Sequence, residues 1–303
     1  MINQQQYPKI AVLLTVCNGV KWLLEQINSI LMQKNVEVTI YISVDESNDD
    51  SEQFCLELSK DENRIIVLPS AGVFGSAAAN FFRLIRETNL AQYDFTCFAD
   101  QDDIWLENKL SVAIDKIKQS HSDAYSSNVN AFWSNGKTKL INKSQPQKAY
   151  DYIFESAGPG CTFVLKNNLA IEIQKHLKEN SLRAQKIELH DWFVYAFARS
   201  NGYKWIIDDQ PYMLYRQHAN NIVGANVGLK SILNRWSKLR EGWFISQAME
   251  IAKLVGYENQ WPIKRLTRFN FVDKFILSIN ASKFRRRCRD ILAFKFAIIF
   301  TRK

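Results

Sequence analysis

The sequence predicts an α/β fold in which strands pair in parallel under a cover of helices, followed by a helical C-terminal extension. Three observations predict it. Apolar runs of strand length alternate with helix-period segments over the first 120 residues. Two of those runs end directly in acidic loops, and from about Leu229 the chain turns basic, aromatic and helical in pattern. Alternating strands and helices imply parallel pairing with right-handed crossovers. Ligands of such sheets bind beyond the carboxyl ends of the strands.

Ile10 to Val16 (IAVLLTV) is a continuous apolar run, as expected of a strand buried on both faces. Asn18-Gly19 breaks it, and Val20 to Gln33 follows with Trp22, Leu23, Ile27, Ile30 and Leu31 near helical spacing. Val36 to Val44 is a second strand that runs into DESNDDS, and Gln53 to Ser59 continues as a helix. Ile65 to Leu68 is a short third strand, Ala77 to Ile85 a helix, and Tyr93 to Ala99 a fourth strand ending in Asp100-Gln101-Asp102-Asp103. The middle is less regular. Strands are expected at Asn130 to Trp133, Thr162 to Leu165 and Tyr203 to Ile207, a turn at Gly158 to Gly160, and a helix starting near His190-Asp191-Trp192.

With 303 residues the chain is long enough for a full hydrophobic core. Hydrophobic residues at 47% and charged residues at 23% exclude a disordered chain and a multi-span membrane protein. Lys plus Arg number 39 against 31 Asp plus Glu, a formal net charge of +8 that points to an anionic partner. Five cysteines stand far apart with no C-x-x-C pair, so a disulfide framework or thiolate zinc site is not expected. The N-terminus lacks a signal pattern, and no stretch reaches the roughly 20 apolar residues of a spanning helix. These features predict a cytoplasmic protein.

Three places carry chemistry. Asp100, Asp102 and Asp103 crowd three carboxylates at a strand end, a donor type that suits magnesium or manganese. A solvated acidic turn is the plainer explanation of such a cluster. Asp45 ends the second strand, where it can accept hydrogen bonds from a base or ribose or simply cap a turn. Asp191, beside Trp192, can be a partly desolvated general base, a helix cap, or both. Further on, Arg216 can pair with a phosphate and His218 can bind metal or phosphate.

These pieces occur in a telling order: LLTVCNGVKWLLEQINSILMQ, ISVDESNDD, FADQDDIWLENKL, HDWF and YRQHANNIVG. Together they resemble the family 2 glycosyltransferases, and within them the bacterial rhamnosyltransferases of surface-polysaccharide (O-antigen or capsule) assembly. The resemblance spans about Ile10 to Gly224. It implies a GT-A fold with a mixed, mostly parallel sheet, a nucleotide-sugar donor and a divalent metal, Mg2+ or Mn2+. Carried over by position, Thr15 and Asp45 would contact the pyrimidine nucleoside and Asn80 the donor. Asp102 would be the main metal ligand, with Asp100 on ribose or metal. Asp191 would be the catalytic base, and Arg216 and His218 would close over the diphosphate, His218 as a further metal ligand.

Two departures stand out. The family's D-D-G-S after the second strand is here Val44-Asp45-Glu46-Ser47, which leaves nucleotide preference open. The Q-x-x-R-W motif of processive synthases is missing, which implies transfer of one sugar. The implied reaction is an inverting displacement with a donor of dTDP-rhamnose or a UDP-sugar and a saccharide acceptor, often lipid-linked in this family.

Residues 1–225 are accordingly expected to form the catalytic domain, with nucleotide-sugar binding in about 8–120 and the acceptor half in about 121–225. Residues 226–303 form the basic tail. From Lys264 to Lys303 there are 12 Lys or Arg against two acidic residues. Lys283-Phe284-Arg285-Arg286-Arg287 leads into an apolar stretch, Ile291 to Phe300. A basic aromatic helix of this kind suits the cytoplasmic face of an anionic inner membrane. It would equally suit packing on the catalytic domain, or pairing of two chains as a homodimer. No nucleic-acid module is visible. A nucleotidyltransferase would need a basic, Gly-rich phosphate loop where Cys17-Asn18-Gly19 stands. A non-catalytic membrane scaffold would not require Asp102 and Asp191 together.

Overall fold

The structure, a computed structural model, describes residues 6–218 and 242–301. In chain order the strands are β1 (Lys9–Val16), β2 (Glu37–Val44), β3 (Ile65–Val67), β4 (Phe95–Ala99), β5 (Ile104–Trp105), β6 (Ala124–Ser127), β7 (Val129–Trp133), β8 (Thr138–Ile141), β9 (Val164–Lys166), β10 (Trp205–Asp208) and β11 (Met213–Gln217). The helices are α1 (Val20–Leu31), α2 (Ser51–Asp61), α3 (Ala77–Glu87), α4 (Lys109–Gln119), α5 (Asp151–Phe154), α6 (Asn167–Glu179), α7 (Ser181–Ala184) and α8 (His190–Ser200). Past the undescribed stretch come α9 (Trp243–Leu254), α10 (Trp261–Arg268), α11 (Phe271–Ile279) and α12 (Cys288–Phe300).

Seven strands form the main sheet in the order β10-β6-β9-β4-β1-β2-β3. The pairs β1–β2, β1–β4, β2–β3 and β6–β10 are parallel, whereas β9 runs antiparallel to both β4 and β6. The sheet is therefore the expected mixed, mostly parallel one. The strand expected over Thr162 to Leu165 begins two residues later, because Gly160–Thr162 form a short 3-10 turn. β6 was not distinguished in the sequence; AYSS is short, and its two serines mask an entirely buried strand.

β1 shows why its sequence is uniformly apolar. Ile10, Val12 and Leu14 face a core packed with α1 and α4, and Ala11 and Leu13 face a second core built on α3, α6 and α8. The C-terminal helices join that second core rather than forming one of their own. Phe284 and Phe294 meet Phe154 of α5 at ring-centroid distances of 4.7 and 5.4 Å.

A smaller sheet, β5-β11-β7-β8, sits beside the main one. Pairing of β11 with β5 sets Leu214 opposite Ile104 and Met213 opposite Trp105. That register carries Arg216 and His218 back to the acidic turn before β5. The expected boundary at 225/226, the last residues of YRQHANNIVG and the predicted helical start at Leu229 lie outside the described residues. All five cysteines are free thiols. Among the described residues no helix is long and apolar enough to cross a membrane.

Candidate active site

The carboxyl ends of β1, β2 and β4 are tied together by side chains. Gln101 accepts from the Cys17 amide (2.8 Å) and donates to the Cys17 carbonyl (2.9 Å), so the acidic turn is clamped onto the end of β1. The clamp needs Gly19: a Cβ there would lie 2.2 Å from Gln101 Oε1. Asp49 accepts from the Val20 amide (3.2 Å) and from Ser51, linking the loop after β2 to the start of α1.

Thr15 is buried near the end of β1, opposite Ser43 on β2. Asp45 follows β2, and its backbone amide bonds the Val16 carbonyl (2.8 Å). Its carboxylate accepts from the amides of Phe74 (2.7 Å), Gly75 (3.1 Å) and its own neighbour Glu46 (2.9 Å). Asp45 thus anchors the 73–75 segment over the strand end. Asn80 on α3 donates to the Ser43 carbonyl (3.0 Å), and its Oδ1 is buried without a partner. Arg83, one turn further, bonds Ser43 Oγ (3.1 Å) and the Pro69 carbonyl. Sequence reasoning did not single out Arg83, which sits inside an otherwise ordinary amphipathic helix.

The acidic turn separates its three carboxylates. Asp102 Oδ2 lies 2.6 Å from His218 Nε2, and the imidazole stacks on Trp22 of α1 with centroids 4.3 Å apart. Arg216 donates through Nε to the Asp102 carbonyl (2.7 Å), pairs with Glu25 and covers the Phe132 ring at 4.6 Å. Asp103 turns inward, is fully buried, and accepts from the Arg216 amide (3.1 Å). Asp100 and Asp103 meet the Cys161 thiol, with ligand atoms of all three within 4.8 Å of one another. Burial, then the neighbouring charge of Asp102, pushes Asp100 up to about 7, and burial drives Asp103 and Cys161 well above their ordinary values.

Asp100 and Asp103 offer hard carboxylate oxygens, the donor type that Mg2+ or Mn2+ accepts, but the three-ligand cluster among the described residues is Asp100, Asp103 and Cys161, whereas the expected ligands Asp102 and His218 form a separate pair. A buried carboxyl oxygen without a partner, Asp103 Oδ2, adds unspent acceptor capacity. A protonated thiol at Cys161 is a poor ligand for such ions. Asp103 and Cys161 were not in the expected ligand set. Asp103 was visible within the cluster, but only burial distinguishes it from its neighbours, and Cys161 is remote in sequence.

Asp191 stands in the first turn of α8, where its Oδ1 accepts from the Trp192 amide (2.7 Å). The N-cap position is Leu189, so Asp191 is not the cap. Burial pushes its carboxyl up to about 6, against the Trp192 amide, the Lys143 ammonium and a hydrogen bond with Ser156. Its charge in turn reaches Asp100. His190 stacks on Phe81 at 3.8 Å, and burial pushes it down to about 3, so the ring is neutral. Gly160 makes room: a Cβ there would be 2.4 Å from His190 Nε2 and 3.3 Å from Asp191 Cβ. The expected residues therefore fall into two joined groups, Thr15, Asp45 and Asn80 at the β1–β2 end, and Asp100, Asp102, Asp191, Arg216 and His218 around the acidic turn.

Two arginines of the basic run pack on the catalytic half, the arrangement that the sequence left open beside membrane contact. Arg286 is buried and bonds Asp151 Oδ2 (2.9 Å) and the Ser156 carbonyl (2.6 Å). Arg285 bonds the Phe154 carbonyl (2.7 Å) and lies 3.7 Å from Glu155. These arginines point into the catalytic half, because Asp151 and Glu155 supply partners that a lipid-facing position would lack.

A family model, Glycosyl transferase family 2, matches residues 11–176. The chain is 42% identical over 274 residues to dTDP-rhamnosyl transferase RfbG of Shigella flexneri, covering 90% of this chain and 94% of the relative. It is 28% identical over 171 residues to the UDP-Glc:alpha-D-GlcNAc-diphosphoundecaprenol beta-1,3-glucosyltransferase WfgD of Escherichia coli, over 53% of this chain and 61% of that protein. Among solved structures, residues 1–349 of S. aureus TarS in complex with UDP-GlcNAc superpose with a TM-score of 0.56 at 16% identity, covering 96% of this chain and 88% of that one. That last likeness is one of fold.

Proposed function

The chain belongs to glycosyl transferase family 2, and on that premise we propose that it transfers one L-rhamnose from dTDP-rhamnose to a saccharide acceptor in bacterial surface-polysaccharide assembly. The observation that carries this reading is the junction at Asp100. Asp100 feels the charge of Asp102, which pairs with His218, and that of the desolvated Asp191, so the acidic turn and the proposed base lie within electrostatic reach of one another. The relative named as a dTDP-rhamnosyl transferase supports the choice of donor.

In the proposed reaction the acceptor hydroxyl approaches the anomeric carbon opposite the leaving diphosphate. Asp191, ionised near neutral pH, takes the hydroxyl proton. The sugar–phosphate bond breaks as the new glycosidic bond forms, and a single displacement inverts the anomeric centre. A divalent ion on Asp100, Asp102 and His218 would act as a Lewis acid toward the phosphates. Arg216, fixed between Phe132 and the Asp102 carbonyl, supplies positive charge beside them. Asp45 holds the 73–75 segment, and Asn80, bonded to the Ser43 carbonyl at the end of β2, keeps a buried Oδ1 with no partner.

Lipid-linked acceptors and a peripheral station on the cytoplasmic face of the inner membrane belong to the same reading. The α11–α12 pair leaves Phe271, Phe275, Leu292, Phe296 and Phe300 exposed, with Phe271 at 81%. Such an apolar surface within a strongly basic tail suits an anionic bilayer interface. The name of the Escherichia coli relative, which gives alpha-D-GlcNAc-diphosphoundecaprenol as its acceptor, supports the same choice.

A thermal-shift panel tests the proposal. dTDP-rhamnose, UDP-sugars and GDP-sugars are each added with Mg2+, with Mn2+ or with EDTA. A ligand at a hundredfold excess over its dissociation constant contributes about 2.7 kcal/mol to native stability. A shift with dTDP-rhamnose that requires metal is expected. A shift with a UDP-sugar alone removes the rhamnose and keeps the glycosyltransferase.

A further inference from the structure

Helix α1 carries more on its outer side than the core requires. Leu23, Gln26, Ile27 and Ile30 are buried and explain its apolar spacing. Trp22 and Glu25, three residues apart, share a neighbouring face. Arg216 and His218 stand two residues apart at the end of β11, so they project to one side of that strand. The two pairs meet in register. Trp22 stacks on the His218 imidazole with the ring planes 13° apart, and Glu25 accepts from Arg216 Nη2.

The helix is held as a platform for these contacts. At its start the amides of Gly19 and Val20 donate to Ser51 Oγ (2.9 and 3.0 Å). Ser29 Oγ accepts from the Trp105 amide (3.0 Å), and Gln33, just past the helix, donates to the Leu106 carbonyl (2.8 Å). Trp105 pairs with Met213, so β5 ties α1 to the strand that ends in Arg216 and His218. Those two side chains also reach the acidic turn, Arg216 through Nε on the Asp102 carbonyl and His218 on the Asp102 carboxylate. The Nε–Nη2 edge of the guanidinium is thus shared by the Asp102 carbonyl and Glu25, and its centre lies over the Phe132 ring.

We infer that Trp22 and Glu25 are positioning residues, which hold His218 and Arg216 so that both face a diphosphate bound at the acidic turn. This rests on the reading of Arg216 and His218 as the diphosphate side of the site. Side chains at a strand end have several rotamers, and a ligand that must select among them is bound more weakly. Fixing them beforehand removes that cost, and cations preset where negative charge develops need no reorganisation. Glu25 does this without cancelling Arg216. Its side chain is 54% exposed, so water screens the charge while the hydrogen bond still orients the fork. Trp22 acts on the face of the imidazole and takes neither ring nitrogen.

The experiment uses the full chain with Mg2+ and titrates dTDP and dTMP by calorimetry, with the melting temperature as the check on folding. Glu25→Ala and Trp22→Ala are each expected to weaken dTDP about tenfold, the scale of one charge-assisted hydrogen bond, and to leave dTMP within about threefold of the parent. Glu25→Gln and Trp22→Phe, which keep the hydrogen bond and the stack, should restore dTDP to within about threefold. Glu25→Ala should add no further loss to Arg216→Ala, and Trp22→Ala none to His218→Ala. The exposed Glu25 carries the test alone if Trp22→Ala melts at a lower temperature. Equal weakening of dTDP and dTMP, or wild-type dTDP affinity in the alanine variants, overturns the inference. Tighter dTDP binding in both Glu25 variants also overturns it, because Glu25 is then a competing counter-ion. The reading beneath it fails separately. Unchanged dTDP affinity in both Arg216→Ala and His218→Ala, or no dTDP binding by the wild type, strikes the diphosphate site itself, and the inference falls with it.

Discussion

Asp102 and His218 meet at 2.6 Å across 116 residues of sequence, and Trp22 stacks on the far side of the imidazole. The pair joins the turn after β4 to the end of β11, so this part of the candidate site exists only once both sheets have formed. Replacing Asp102 by Asn is expected to lower transfer by about 10²-fold or more, the usual scale for losing one group that stabilises developing charge. His218→Ala should cost a comparable factor and abolish any dependence of the dTDP thermal shift on Mn2+. An unchanged metal response in His218→Ala removes the imidazole from the ligand set.

Asp191 gives a pH signature. A base must be ionised, and burial sets its carboxyl at about 6. The rate at limiting acceptor should therefore fall about tenfold per pH unit below pH 6 and level off above it. Asp191→Asn should lose about 10²–10⁴-fold in turnover while still binding dTDP. A variant with wild-type turnover assigns the proton transfer elsewhere.

His190 makes stability depend on pH in the opposite limb. Its folded value is depressed to about 3 from an ordinary value near 6.5. As pH falls through that window the unfolded chain takes up a proton that the folded ring refuses, so stability is lost toward acid. Comparing melting of the wild type with His190→Asn isolates the effect. The difference should move against the wild type steadily between pH 6.5 and pH 4, and a constant difference would contradict the neutral ring.

Gly160→Ala places a methyl group 2.4 Å from His190 Nε2, in a wall with little room to yield. Overpacking of this kind costs about 1–3 kcal/mol. Because the displaced ring adjoins Asp191, turnover should drop by more than the dTDP affinity. Equal and small losses in both would mean that the ring moves freely.

Asp151 and Arg286 form a buried ion pair between α5 and the segment before α12, and Tyr195 adds its hydroxyl at 3.0 Å. Asp151→Asn should destabilise by about 3–5 kcal/mol, since it strands a buried guanidinium. Asp151→Leu combined with Arg286→Met should cost less than the two single changes added together. Chemical denaturation of the four proteins checks this. Additive losses would mean that the pair is solvated.

The alternation of strands and helices, the acidic strand ends and the family were all legible in the chain before folding was considered. Those signals are local: a two-faced apolar run at Ile10 to Val16, Asn18-Gly19 as a break, and carboxylates placed immediately after β2 and β4. The tertiary structure decided which of those groups meet. β9 inserts antiparallel between β4 and β6, and brings Cys161 to Asp100 and Asp103. β11 pairs with β5 and brings His218 to Asp102. The tail's arginines turn inward to Asp151 and Glu155, and Lys143 arrives beside Asp191 through the packing of one glycine turn. None of these encounters leaves a periodic trace in the chain, because each joins residues far apart in sequence, and its favourable energy appears only after the sheet has closed the loops between them.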